Sequence, residues 1–224
     1  MIDSGLQRLN MVESQVRTSD VTDRRIIRAM LDIPREPFVP PAMASLAYSD
    51  AALAVSGQRT GNAPVRALLE PRTLAKLIQL ADIDDDETVL DVGCATGYST
   101  AVLARIAKRV VAIEPDKALA EVAASALKSL GIANARVVTG ELKAGVPGDA
   151  PFDVILLNGS VSSIPQGLCA QLRDGGRLVA VVSHGRVSRG HLTLRTGAAF
   201  DTRPAFEAAA DPLPGFNVPA GFVF

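Results

Sequence analysis

Acidic residues set around a glycine loop are the part of this sequence best placed to do chemistry. Asp91 stands two residues before Gly93 in Asp91-Val92-Gly93-Cys94-Ala95-Thr96-Gly97-Tyr98, and the apolar run Val89-Leu90 leads into it. A strand that turns through glycines into a helix lets backbone approach a ligand at the strand's carboxyl end. A dinucleotide site needs G-x-G-x-x-G there, whereas here Ala95 and Tyr98 stand at the second and third glycine positions. Glu114 lies about 20 residues on, at the end of the next apolar run, where a carboxylate accepts both hydroxyls of a ribose. Gly140-Glu141 follow a third run, where an acid can hold an adenine amino group. Asp91 would orient the loop and meet a methionine-type ammonium, directly or through water. Taken alone, Asp91 reads as a turn cap and Glu114 as a solvated strand end. In this order the set describes S-adenosylmethionine.

These positions require a particular frame. From Thr88 the chain alternates short apolar runs (Val89–Val92, Val110–Ile113, Ala135–Val138, Val154–Leu157, Leu178–Val182) with helical patterns at about 99–108, 116–130 and 164–173. Continuous Val/Ile/Leu runs between helices describe a parallel sheet buried on both faces. Asp174-Gly175-Gly176 supplies a turn before the fifth run, and the stretch from about 191 to 210 suits an antiparallel hairpin. The first forty residues read as helical, with Leu6, Leu9, Val12 and Val16 on one stripe. Ser19 or Thr22 caps a second helix carrying Ile26, Ile27, Met30 and Leu31. Pro34 stops it, and Pro37, Pro40 and Pro41 keep the next segment extended. Residues 56–66 are the most loop-like stretch, and a helix follows Pro71 with Leu74, Leu77, Ile78 and Ala81 on one side. The end, from Pro212-Leu213-Pro214-Gly215-Phe216 to Phe224, packs as an extended strap. The expected organisation is one domain over 1–224, with 1–80 a helical substrate or cap region and 81–224 the cofactor-binding sheet.

Composition narrows the partners. Lys+Arg 23 against Asp+Glu 24 gives a net charge of -1, which argues against a nucleic-acid or anionic-membrane partner. No apolar run approaches the roughly 20 residues of a membrane helix, and the first residues lack a signal-peptide pattern. Two cysteines form no disulfide framework, so a cytoplasmic chain is expected. Cys94 matters for its backbone, and Cys169 reads as core. His184 and His191 read as surface loop residues, and no compact Cys/His/carboxylate spacing supports a metal. Asp84-Asp85-Asp86-Glu87 reads as a solvated turn, and Arg24, Arg25 and Arg35 as helix surface with local ion pairs. Asn158, after the fourth run, is a cofactor or substrate contact. Leu157-Asn158-Gly159-Ser160 is not the Asn-Pro-Pro-aromatic motif of amino-group methyltransferases.

Several segments together resemble the protein-L-isoaspartate O-methyltransferases. Ile33-Pro34-Arg35-Glu36-Pro37-Phe38-Val39-Pro40 is similar to that family's N-terminal signature. Leu90 to Ala104 is similar to its cofactor loop, including Tyr98 after the last glycine. Ala150 to Leu157, Ile164-Pro165 and Gln171 to Val179 resemble its fourth strand, following helix and fifth strand. The resemblance implies an α/β fold with a seven-stranded, mostly parallel, Rossmann-like methyltransferase sheet. It also implies S-adenosylmethionine as cofactor and isoaspartyl carboxylates of proteins or peptides as acceptors. The implied cofactor contacts are Asp91, Gly93, Cys94, Ala95, Gly97, Tyr98, Glu114, Pro115, Gly140, Glu141 and Asn158. The chain departs from the family at Ala95 for a loop glycine, at Glu141 for Asp, and at Leu142 for glycine. Leu69 replaces a substrate-contacting Ser in Leu68-Leu69-Glu70-Pro71, and 56–66 does not match the family's Gly-Gln-x-Ile-Ser run. A methyl on Ala95 is tolerated if its φ is negative. Two alternatives therefore stand beside isoaspartyl methylation: another methyl acceptor, or a catalytically silent binding or scaffold relative.

Overall fold

The computed structural model describes residues 3–56, 65–185 and 187–216. Helix α1 (Ser4–Met11) starts at Asp3, whose carboxylate accepts the Gly5 N–H at 2.9 Å. It continues into a π turn, Val12–Val16. Only half of the expected stripe is buried: Val12 and Val16 are fully enclosed, while Leu6 and Leu9 are 54% and 43% exposed. Helix α2 (Arg24–Asp32) is capped by Asp23, not by Ser19 or Thr22; the Asp23 carboxylate accepts the Arg25 N–H at 2.7 Å. The prolines that follow do not hold an extended segment. Pro37 and Pro41 sit in the first turns of two 3-10 helices, Glu36–Phe38 and Pro41–Leu46, where a missing N–H costs nothing, while Pro40 between them is extended (φ -54°, ψ 143°).

Strands β1 (Leu53–Ser56) and β2 (Arg66–Leu68) pair antiparallel, an element that the loop-like composition of 56–66 concealed. Residues 57–64 lie outside the described residues. Helix α3 (Pro71–Ala81) buries Leu74, Leu77, Ile78 and Ala81, as expected. The large sheet then builds as β3 (Thr88–Val92), α4 (Tyr98–Leu103), β4 (Arg109–Glu114), α5 (Lys117–Ser129), β5 (Ala135–Thr139), β6 (Phe152–Val161), α6 (Gln166–Cys169), β7 (Leu172–His184), β8 (Val187–Thr196) and β9 (Ala199–Glu207). Its order is β5-β4-β3-β6-β7-β8-β9. Pairings from β5 across to β7 are parallel, and β7-β8 and β8-β9 are antiparallel. This is the expected seven-stranded, mostly parallel sheet with an antiparallel hairpin.

Helices α4 and α6 are shorter than their apolar patterns. After Leu103 the chain tapers through tighter turns, with Arg105 N–H on the Val102 carbonyl at 3.1 Å. Asp174-Gly175-Gly176 is not a turn before β7 but an irregularity inside it. The register jumps from Phe152↔Leu172 to Val154↔Arg177, so the residues between bulge out of the ladder. Glu87 corrects the solvated reading of the acidic run. It is buried and receives Arg177 at 2.6 and 2.8 Å and Arg173 at 3.2 Å, tying the base of β3 to β7.

Alternate residues of the central strands face two cores. Val89, Val110, Val154 and Val179 join Met11, Ile26, Met30, Phe38, Leu74 and Tyr98 in one continuous cluster. Leu90, Val111, Ile155 and Leu178 pack on the other face with Leu168, Leu213 and Phe216. The N-terminal helices are thus one of the sheet's two covering layers. The strap is also present for its described part. Pro212 bridges Ser160 in parallel, and Ser160 N–H and carbonyl bond Asp211 and Leu213 at 2.8 and 2.9 Å.

Candidate cofactor site

The chain runs from β3 outward to β5 and then crosses back to β6, so the strand order reverses beside β3. Open α/β sheets leave a crevice at that point. Val92 of β3 is level with Ile113 of β4 on one side and Leu157 of β6 on the other, so Gly93, Glu114 and Asn158 stand side by side at the carboxyl end of these strands. The loop is shaped by positive φ at Gly93 (76°), Ala95 (51°) and Gly97 (94°). At Gly97 a Cβ would stand 2.9 Å from the Ala123 Cβ, so helix α5 closes on a position that only glycine fits. At Ala95 the favourable condition fails, since φ is positive. Its methyl is nonetheless accommodated within the large core cluster, and its N–H donates to Glu114 Oε2 at 2.7 Å.

Asp91 is fully buried. Ser99 and Thr100 hydroxyls donate to its Oδ2 at 2.8 and 2.6 Å, and the Asn158 amide donates to Oδ1. Burial pushes its pKa up to about 6, against the hydrogen bonds of Thr100 and Ser99. Its observed work is to orient the loop. Asn158, expected as a ligand contact, is the residue that holds Asp91 from β6.

Glu114 is also fully buried, and both of its oxygens are taken. Arg66 Nε donates to Oε1 at 3.2 Å and Arg66 Nη2 to Oε2 at 2.9 Å, while Nη2 also donates to the Gly93 carbonyl at 2.8 Å. Over the same glycine lies Leu213: a Cβ on Gly93 would come within 2.7 Å of Leu213 Cδ2 and 3.0 Å of Arg66 Nη2. Beside Arg66, Leu69, Asn158 and Gly159 a cavity of about 10 Å³ remains, room for about one water. The residue types thus suit S-adenosylmethionine, with carboxylates and glycine-loop backbone at the places it requires. The space in this conformation does not, because Arg66 and Leu213 fill it.

The remaining expected contacts surround this crevice. Tyr98 is buried at the start of α4, with the Arg35 guanidinium 4.5 Å from its ring centroid. Gly140 donates its N–H to the Glu114 carbonyl at 3.2 Å. Pro115 and Glu141 are exposed at the rim, and Leu142 is buried, 3.5 Å from a Cβ on Gly93. Leu69 is core, and its carbonyl accepts Arg35 Nη2 at 2.7 Å. Arg35, expected on the surface, is therefore wholly buried beneath the loop. Burial raises the Cys94 thiol pKa well above its ordinary value and pushes that of Cys169 up to about 11. No group of three or more possible metal-binding side chains occurs among the described residues, nor is any described helix long and apolar enough to cross a membrane.

Sequence reasoning missed Arg66 and the place of Leu213. Arg66 closed a loop without apolar period, with no pattern pointing at Glu114. Leu213 lay in the expected strap, but nothing in its neighbours indicated which surface the strap covers.

Comparison with known proteins agrees with this architecture. The family profile described as Protein-L-isoaspartate(D-aspartate) O-methyltransferase matches residues 7–196. A protein-L-isoaspartate O-methyltransferase of Geobacter metallireducens is 37% identical over 179 residues, 80% of each chain. One of Rhodopseudomonas palustris is 39% identical over 176 residues, 79% of this chain and 69% of its own. A solved protein-L-isoaspartate O-methyltransferase superposes with a TM-score of 0.80 at 26% identity, covering 93% of this chain and 66% of that one. A Plasmodium falciparum structure in complex with S-adenosyl-L-homocysteine shares the fold, with a TM-score of 0.75 at 17% identity, covering 95% and 99%. Sequence and topology agree, and the chain belongs to the protein-L-isoaspartate(D-aspartate) O-methyltransferase family of S-adenosylmethionine-dependent methyltransferases.

Proposed function

We propose that this chain methylates carboxylates in the cytoplasm, with isoaspartyl residues of proteins or peptides as acceptors. The observation that carries the reading is the buried Glu114 beside a positive-φ glycine loop at the sheet's reversal point. In this reading Asp91, Gly93, Cys94, Ala95, Gly97 and Tyr98 form the methionine side of the site, with Asn158 fixing Asp91. Glu114 and Pro115 face the ribose, and Gly140 and Glu141 the adenine. The bound cofactor supplies an electrophilic methyl group. A carboxylate acceptor is already ionised at neutral pH, so the protein's task is to align it and exclude water rather than to remove a proton. The continuous core shared by the N-terminal helices and the sheet supports treating 1–224 as one domain, with 1–80 as its cap.

Leu69 favours a second reading, a different acceptor. It is an apolar, 5% exposed side chain where the family places a substrate-contacting Ser. A site lacking that hydroxyl leaves a substrate polar group unpaired, at about 1–3 kcal/mol. Radiolabelled methyl transfer to an isoaspartyl peptide and to its aspartyl isomer, at high cofactor concentration, separates the two. Selective labelling of the isoaspartyl peptide is expected, and a Leu69→Ser variant should label it about 10-fold faster. Equal, near-background labelling of both peptides by both proteins would sink the isoaspartyl assignment.

A further inference from the structure

The crevice is filled by side chains of the chain itself, and they stand on the atoms a cofactor would use. Arg66 places its donors on both Glu114 oxygens, the acceptors that a ribose diol requires. Its third bond takes the Gly93 carbonyl. Leu213 seats between Gly93 of the loop and Gly159 of β6: a Cβ would come within 2.7 Å of it at either glycine. Leu213 is fully buried, Phe216 is 6% exposed, and the Arg66 and Glu114 side chains are 6% and 0% exposed.

From this we infer that Arg66 and the strap residues 211–216 are an internal competitor of the cofactor. Arg66 holds the ribose position and Leu213 the space above Gly93, so S-adenosylmethionine enters only after both have left. The inference rests on the cofactor reading above. Arg66 lies on a three-residue strand, and the strap is held to β6 by the Ser160 bonds and by the Ser162 hydroxyl on the Phe216 carbonyl at 3.0 Å. A ligand that binds only the vacated form has its apparent affinity reduced by the fraction vacated. If about 1% of molecules are open, binding weakens about 100-fold.

Calorimetric titration with S-adenosylhomocysteine tests this in the full chain, in Leu213→Ala, and in Arg66→Ala combined with Glu114→Gln as a folding control. Leu213→Ala removes one occupant without touching a charge and is expected to bind about 10-fold tighter than the parent. An added Arg66→Ala should bring the gain to about 100-fold. In the parent, saturating ligand should speed hydrogen exchange at the Ser160 and Leu213 amides, whose partners lie across the strap contact. Micromolar binding by the parent, with no gain in Leu213→Ala and no change in exchange, would overturn the competitor while leaving the cofactor reading intact. Absence of binding in the parent and in every folded variant that retains Glu114 would overturn both.

Discussion

Arg66→Ala is expected to lower the free energy of unfolding by about 3–5 kcal/mol. The substitution leaves the buried Glu114 carboxylate with the Ala95 N–H at 2.7 Å and the Asp116 N–H at 3.4 Å as its donors among the described residues. Removing one member of a buried pair costs far more than the pair contributes, because the survivor keeps its desolvation penalty. The double change Arg66→Ala with Glu114→Gln removes the stranded charge and should recover most of the loss. Urea unfolding of the parent, the single and the double variant decides this. A single-variant loss below about 1 kcal/mol would show that water reaches Glu114 once the guanidinium is gone.

Stability should also depend on pH through Asp91. Burial raises its folded pKa to about 6, the Thr100 and Ser99 hydroxyls work against that rise, and neighbouring Glu114 adds to it. In the unfolded chain an Asp titrates near 3.9. Between these values the folded protein holds a proton that the unfolded chain has lost, so this contribution falls as pH rises from about 4 to about 6 and is level above. The change is about 3 kcal/mol. Asp23, Glu36 and Glu87 are shifted downward and act in the opposite sense, so the diagnostic quantity is a difference. Asp91→Asn should lack the slope, and the stability of the parent minus that of the variant should drop between pH 4 and pH 7. A flat difference would mean that Asp91 titrates in the folded protein as it does in the unfolded chain.

What could be read in advance followed repeating local patterns. The β3, β4, β6 and β7 runs were legible because strands buried on both faces show as unbroken Val/Ile/Leu stretches, and α3 because Leu74, Leu77, Ile78 and Ala81 recur at helical spacing. Glycines 93 and 97 announced their loop since the backbone there needs positive φ. Glu87 and Arg35 were misplaced for one reason. A charged residue is buried when a partner arrives from elsewhere, and Arg177 and the Leu69 carbonyl are distant in sequence. Arg66 on Glu114 is the same kind of contact, made by a short antiparallel pair that composition did not reveal. Local periodicity encodes elements; it does not encode which side chains from separate elements meet.

The seat of Leu213 on Gly93 also sets an order of events in folding. The glycine loop closes through neighbours, Gly97 N–H to the Cys94 carbonyl and Ala101 N–H to the Gly97 carbonyl. Along the chain, β4 to β9 lie between the loop and the strap. Long closures form after local ones, since their entropy must be met before the contact rewards it. The crevice is therefore assembled open and filled afterwards, and a chain growing from its N-terminus exposes it before the rival segment exists. Cofactor present at that stage meets Arg66 but not Leu213. Refolding in S-adenosylhomocysteine should accordingly trap ligand faster than adding it to the folded chain, and identical uptake rates would show that the strap leaves as readily as it arrives.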